Sequence, residues 1–318
     1  MDAPWNQAVE LIRGRHNLHP GHRGSAVTIG NFDGLHLGHR AVLGQLVGRA
    51  GELGLPSVVM SFEPTPREYF AGAAAPPRLM RFREKFEGLR AAGIDRLFCV
   101  RFGAKVADLT AEAFIEEFLV AGLGVKYLVV GDDFRFGRNR AGDFATLERA
   151  GRRHGFEVSD TPSCTVEGLR VSSTAIRDAL GAGDLGLAEK LLGHRYAMSG
   201  RVVPGDRRGR TLGYPTANLR PGRRVLPLGG VFAARVLGAA EHPVPAVVNL
   251  GTRPTVDGTD ALLEAHLFDF EADLYGRRIT VEFVARLRDE ERFDNLDQLR
   301  EQMDADARNA RAVLAGLD

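Results

Sequence analysis

The sequence predicts two folds in tandem: an α/β domain on a parallel sheet, then an antiparallel β-barrel with a terminal α-helix. Three observations carry this prediction. Up to residue 130, short apolar runs alternate with amphipathic stretches, the βαβα order of a helix-covered parallel sheet. Beyond residue 184 the period falls to two and no helix separates the runs, as in an antiparallel barrel. With 318 residues, 44% of them apolar, the chain can build two domains with a core each. We place them at 1–184 and 185–318, with the boundary at Gly183-Asp184.

The first strand is Ser25 to Ile29, apolar and β-branched, and it ends at Gly30. From His39 to Leu53, Ala41, Val42, Leu46, Val47 and Ala50 recur at helical spacing. Between them runs G-N-F-D-G-L-H-L-G-H, which contains Gly30, Phe32, Asp33, Gly34, His36, Gly38 and His39. A strand, a glycine-rich loop and a helix N-terminus form an anion site, because unpaired N–H groups and the positive end of the helix dipole face the loop. The loop has neither Walker nor dinucleotide-binding spacing. Two imidazoles at its end suit a charge that moves from an α-phosphate to leaving pyrophosphate, to which they can donate. Gly38 stands where a side chain would crowd a ligand. The plain alternatives are two solvated loop histidines, or a metal pair that lacks a third ligand.

A second strand, Ser57 to Phe62, stops at Glu63-Pro64-Thr65-Pro66. Phe82 to Ala92 is helical, Leu97 to Phe102 a strand, Thr110 to Leu119 a capped helix and Tyr127 to Val130 the fourth strand. Ligands bind such sheets at the carboxyl ends of the strands, where the histidines lie. The fourth strand runs into Gly131-Asp132-Asp133-Phe134-Arg135-Phe136-Gly137-Arg138-Asn139-Arg140. In this loop Asp132 and Asp133 can receive nucleotide hydroxyls or assist Mg²⁺, and Arg138 or Arg140 can reach phosphate. A solvated loop held by its own ion pairs is the plainer reading. Ser172, Ser173, Thr174 and Arg177 open another helix and a second anion site, although ordinary capping accounts for one of those hydroxyls.

The second half predicts strands at Val231 to Leu237, Val247 to Leu250, Leu262 to Phe270 and Ile279 to Ala285. A helix from Asn295 to Leu314 follows, with Leu296, Leu299, Met303, Ala307 and Ala310 on one stripe. Gly205, Gly209 and Arg210 belong to a glycine-rich basic stretch that leads into L-G-Y-P-T-A-N. Thr216 and Asn218 are two apart, so in an extended segment their oxygens share a face and can ligate one Mg²⁺. Glu264 lies on a strand next but one to His266 and is either a solvated face residue or a general base for a hydroxyl.

A formal charge of +1, from 42 basic and 41 acidic residues, offers no broad footprint for nucleic acid or anionic membrane. Cys99 and Cys164 are the only cysteines and build no disulfide framework. No run approaches the roughly 18 apolar residues of a membrane span. The expectation is a soluble cytoplasmic protein with no nucleic-acid or membrane partner.

The first stretch resembles the signature of the HxGH nucleotidyltransferases. The whole order of motifs, with GDDF-x-FG, S-S-T-x-x-R, G-R-V-x-x-G-D, P-T-A-N, the acidic strand and R-L-R-D-E-x-R-F, resembles the bacterial bifunctional riboflavin kinase/FAD synthetase family. The resemblance implies a Rossmann-like FMN adenylyltransferase domain and a riboflavin kinase barrel of about six strands. It implies riboflavin, FMN and ATP as substrates, with Mg²⁺. Ser172, Ser173, Thr174 and Arg177 would hold the triphosphate, Thr216 and Asn218 would contact Mg-ATP, and Glu264 would be the kinase base. Phe62, Pro64 and Arg288 are candidates for the flavin. Tyr214, Leu35 and Asp133 replace the Phe, Val and Asn usual in the family. The rivals are transfer to another phosphate acceptor, such as a pantetheine or nicotinate nucleotide, and a non-catalytic flavin- or RNA-binding protein.

Overall fold

The computed structural model describes residues 9–205, 213–255 and 258–316. The chain divides into two compact units: Met1–Pro76 with Phe82–Val171, and Pro77–Arg81 with Ser172–Asp318.

The first unit is a parallel six-stranded sheet in the order β1-β4-β3-β2-β5-β6. Its strands are β1 (Glu10–Arg13), β2 (Ala26–Ile29), β3 (Ser57–Glu63), β4 (Arg96–Arg101), β5 (Tyr127–Gly131) and β6 (Glu157–Thr161). The chain steps outward from β2 through β3 to β4, then returns to add β5 and β6 on the other side of β2. The strand order therefore reverses at β2, which puts a crevice at its carboxyl end. Helices α1 (Leu37–Leu53), α2 (Pro66–Ala71), α3 (Phe82–Ala91), α4 (Ala104–Ala107), α5 (Ala111–Phe114) and α6 (Phe144–His154) fill the connections. After α5 the helix widens into a π turn over Ile115–Val120. Met60, Phe98 and Leu128 on one pleat pack with Phe114 and Phe118, while Ser61 on the opposite pleat meets Lys85 of α3. Helices thus cover both faces of the sheet.

The helices α2, α4 and α6 escape the sequence reading, and so do four strands of this unit. β1 pairs in parallel with β4 through only four residues, E-L-I-R. β6 is an edge strand, E-V-S-D-T, with a single buried residue, so it has no apolar signature. A short hairpin pairs β7 (Thr165–Val166) with β8 (Leu169–Arg170).

The second unit opens with α7 (Ser173–Gly181) and α8 (Leu185–Leu192). A closed barrel follows in the order β10-β13-β12-β11-β14-β9. Its strands are β9 (Ala197–Val203), β10 (Ala217–Leu219), β11 (Gly230–Leu237), β12 (Val244–Thr255), β13 (Gly258–Leu267) and β14 (Arg278–Arg288). Phe232, Leu263, Ala265, Val281 and Phe283 are buried. α9 (Leu296–Ala315) lays Ala307, Ala310 and Leu314 against Ala233 and Phe268. The expected stripe needs one correction: Leu296 is exposed, because it stands at the helix's first residue, ahead of the apolar contact. Leu79 of the segment 77–81 is fully buried, and its carbonyl accepts from Tyr196 Oη at 3.0 Å and from Arg223 Nη2 at 3.0 Å.

Candidate active sites

In the first unit, the loop after β2 is forced through positive φ at Phe32 (48°), Gly34 (94°) and Leu35 (43°). Two of these are non-glycine residues in a disfavoured region, held there by burial of the Phe32 and Leu35 side chains. Asp33 is buried in the same loop. His36 then caps α1: its Nδ1 accepts the His39 N–H at 3.2 Å. An imidazole that accepts at Nδ1 carries its proton on Nε2, so His36 keeps a donor. The His36 and His39 rings stack, with centroids 3.6 Å apart and planes 13° apart, and Phe32 tilts against His39 at 5.0 Å. His36 is only 7% exposed.

Burial, the His36 ring and the Lys85 ammonium together hold His39 well below the usual histidine range. Its Nδ1 is buried and has no hydrogen-bond partner among the described residues. Gly38 turns out to serve the histidines themselves: a Cβ there would stand 3.3 Å from His36 Nδ1. Gly30 is equally constrained, since a Cβ would meet the Phe32 ring at 3.0 Å.

Asp132 and Asp133 lie at the end of β5, beside β2. Asp132 accepts from Ser163 N at 3.0 Å and from Ser163 Oγ at 2.8 Å, and these bonds hold its carboxyl below the ordinary range. Asp133 pairs with Arg170 Nη2 at 2.6 Å. The hairpin and the residue just ahead of it thus supply partners that sequence spacing could not reveal. Arg138 and Arg140 are exposed, and Asn139 and Arg140 adopt positive φ.

Phe62 is buried, its ring against those of Phe102 and Phe114, while Pro64 is exposed. The open aromatic surface lies instead on α2, where Tyr69 and Phe70 meet Phe102 edge-on at 5.4 and 5.8 Å and Phe70 is 71% exposed. Sequence reading passed over both, although P-R-E-Y-F directly follows the double proline.

The chain holds a second H-x-G-H, His19-Pro20-Gly21-His22, which also brings its rings to 3.6 Å. It opens only a three-residue turn. His22 Nδ1 accepts the His19 N–H at 3.2 Å and Nε2 donates to Glu10 Oε1 at 2.8 Å, so both ring nitrogens are occupied. The two pairs thus share a ring spacing but not a setting: the His19 and His22 planes are 38° apart at a three-residue turn, whereas the His36 and His39 planes are 13° apart at the start of a 17-residue helix.

In the second unit, Ser172 caps α7 by accepting from Ala175 N at 3.1 Å, followed by Ser173 and Thr174 in the first turn. Arg177 Nε donates to Pro77 O at 2.6 Å. On the barrel wall, Glu264 stands directly opposite Asn218 of β10 and Asn249 of β12. Asn218 is 6% exposed and donates to Thr216 O at 3.3 Å. A Cβ on Gly205 would stand 2.5 Å from the Asn218 amide, so the start of the glycine-rich stretch lies against that side chain. Gly209 and Arg210 lie outside the described residues. Gly205, Thr216 and Asn218 line a cleft of about 530 Å³ with Phe270, Leu274 and Tyr275, a volume within the range of small-molecule sites. Glu290, from R-L-R-D-E, reaches Asn249 Nδ2 at 3.3 Å and is a further carboxylate that sequence distance concealed. Arg288 is tied to Asp306, at 3.0 Å through Nε and 2.8 Å through Nη2.

The FAD synthetase family model matches residues 18–175 and the riboflavin kinase model residues 192–314. A bifunctional riboflavin kinase/FMN adenylyltransferase of Escherichia coli is 51% identical over 304 residues, 95% of this chain and 97% of its own. The Haemophilus influenzae protein of that description is 47% identical over 96% of this chain and 99% of its own. A crystal structure of a macrolide-efflux protein from Streptococcus pneumoniae superposes with a TM-score of 0.80 at 31% identity, over 95% of this chain and 99% of that one. No helix among the described residues of this chain is long and apolar enough to cross a membrane. With family models matched in both units and relatives of 47–51% identity over nearly its whole length, the chain belongs to the bifunctional riboflavin kinase/FMN adenylyltransferase family.

Proposed function

We propose that this chain makes FAD in two ATP-dependent steps, one in each unit. In the barrel, riboflavin and ATP give FMN and ADP; in the α/β unit, FMN and a second ATP give FAD and pyrophosphate. One observation carries the assignment: a single chain holds both a donor pair at a helix N-terminus and a cross-strand Asn218–Glu264–Asn249 row beside a cleft.

For the kinase step, Glu264 takes the proton of the ribityl terminal hydroxyl, a contribution of roughly 10²- to 10⁴-fold. Thr216 and Asn218 offer neutral hard oxygens, and the missing Cβ of Gly205 leaves room against Asn218, a donor set that fits Mg²⁺ carried in by a nucleotide. Bound there, Mg²⁺ supplies charge neutralisation of the phosphates. Gly205 then borders the phosphates in the cleft, and Gly209 and Arg210 keep the phosphate-binding role that the sequence alone gives them.

For adenylyl transfer, the FMN phosphate is already an anionic nucleophile, so positioning and charge stabilisation dominate. His36 Nε2–H and the His39 ring donate to charge that develops between the α-phosphate and the leaving group. Asp132, Asp133 and Arg138 lie on the nucleotide side, and Ser172, Ser173, Thr174 and Arg177 keep the triphosphate role that the resemblance gives them. Tyr69 and Phe70 offer the face on which the flavin stacks, in place of the buried Phe62.

The test is product analysis of purified protein supplied with riboflavin and ATP. FMN should appear first and FAD with pyrophosphate second. His39→Ala should stop at FMN, whereas Glu264→Gln should convert supplied FMN to FAD but no longer phosphorylate riboflavin. Wild-type protein that forms no FMN from riboflavin overturns the reading, and a Glu264→Gln protein with full kinase rate moves the base elsewhere.

A further inference from the structure

The residues that carry Thr216 into the barrel's cleft lie ahead of the sheet ladder. β10 begins its pairing with β13 only at Ala217, so Tyr214, Pro215 and Thr216 depend on side chains for their placement. Besides the Asn218 amide on Thr216 O, two side chains fasten them. His266 Nδ1 donates to Pro215 O at 2.9 Å, and Tyr214 Oη donates to Asp304 Oδ1 of α9. The Tyr214 and His266 rings also meet edge-on, with centroids 5.0 Å apart. Burial holds His266 below the usual histidine range, so near neutral pH the ring is uncharged and the Pro215 carbonyl fixes its proton on Nδ1. Burial and the Asp304 bond push the Tyr214 phenol above its ordinary range, which keeps it a donor. A pocket of about 260 Å³ is lined by Tyr214, His266, Phe268 and Asp304. Tyr214 therefore has room to swing, and its bond to α9 sets its place.

His266 stands two residues after Glu264 on β13, and side chains alternate along a strand, so both project from one face. The clamp thus ties the nucleotide segment to the strand that carries the base. We infer that His266 and Tyr214 are positioning residues of riboflavin phosphorylation: between β13 and α9 they hold residues 214–216 so that Thr216 faces the nucleotide at a set distance from Glu264. The inference rests on the assignment of the kinase step to Glu264 and this cleft. Pro215 and Thr216 line the 530 Å³ cleft, whereas Tyr214 and His266 line the smaller pocket, so the segment borders both cavities. Loss of either bond lets the segment shift at the nucleotide while the base stays on its strand. The effect therefore falls on nucleotide binding before it falls on the chemical step.

The experiment measures riboflavin phosphorylation by the full chain as ATP is varied and, separately, the binding of ADP by calorimetry. Tyr214→Phe removes only a hydroxyl and should raise KM for ATP and Kd for ADP about fivefold, the worth of one hydrogen bond, with kcat and KM for riboflavin near wild type. Asp304→Ala should do the same, and the double variant should lose no more than either single one, because both remove one bond. His266→Ala should also raise both constants, whereas His266→Asn, whose amide N–H takes the place of Nδ1–H, should bring them back to near wild type. Wild-type constants in both Tyr214→Phe and His266→Ala overturn the inference. If His266→Ala does not fold, Tyr214→Phe decides: unmoved constants overturn, raised ones support. A wild-type protein that binds ADP but does not phosphorylate riboflavin would sink the kinase assignment itself, so the two failures are distinguishable.

Discussion

For single residues, the first site is a problem of ring geometry. In the proposed adenylyl transfer, the stacked imidazoles at a helix N-terminus set donors where negative charge develops, and one such preorganised donor is worth about 10²- to 10³-fold in rate. His36→Ala and His39→Ala should each lower FAD formation by that order and leave FMN formation near wild type; wild-type FAD rates in both variants would refute the assignment. Titration gives an independent check. The folded value of His39 lies below its unfolded value near 6.5, so as pH falls from neutrality the unfolded chain binds a proton that the folded chain refuses. Stability should therefore fall as pH drops through the window between those two values, with a slope of about 1.4 kcal/mol per pH unit at most for one proton. Urea unfolding from pH 7 to pH 5 should show this slope flattened in His39→Asn, and an equal slope in both proteins would refute it. The histidines and Glu264 stand out in the sequence because each lies in a local motif. Arg170 and Glu290 do not, because each reaches its partner, Asp133 and Asn249, from a distant segment.

For elements, what decided legibility was whether a strand buries an apolar face. β2, β3 and β5 do, and their runs read directly. β1 and β6 are short sheet edges, β10 has three residues, and β9 mixes Ser, Gly and Arg with its apolar residues, so none carries a clean period. α2 shows the opposite failure. It is a six-residue helix with a capping box between Thr65 and Glu68 and no buried residue, so packing leaves its aromatic rings uncovered. Such a face is expected to bind a planar ring, with stacking worth roughly 1–3 kcal/mol. Phe70→Ala should raise KM for FMN by tenfold or more and spare the kinase. Flavin fluorescence quenching that is identical in wild type and variant would exclude α2 as the platform.

For the whole molecule, the division into units does not follow the chain once through. Pro77–Arg81 belongs to the second unit although both its flanks belong to the first. A fragment from Leu185 to Asp318 keeps Gly205, Thr216, Asn218 and Glu264, and it is expected to phosphorylate riboflavin. It loses Leu79 and the carbonyls that accept from Tyr196 and Arg223, the latter only 6% exposed and also within 3.3 Å of Arg78 O. At about 1 kcal/mol per hydrogen bond, plus an uncovered apolar pocket, the fragment should unfold at lower urea concentration than the same unit in the full chain. Equal midpoints would show that the segment contributes nothing to stability. An inactive fragment beside an active full chain would show that the segment completes the kinase site.

The second H-x-G-H gives this protein its own internal control. His19 and His22 reproduce the tetrapeptide and the ring spacing of His36 and His39, but behind them is a three-residue turn rather than a 17-residue helix, and their outward nitrogen faces Glu10. Any property of the tetrapeptide as such must appear at both places in one molecule, under identical solvent and flavin load. His22→Gln should leave FAD output intact and lower the melting temperature, so a reagent or spectrum that reads all histidines alike can be corrected for one pair by means of the other.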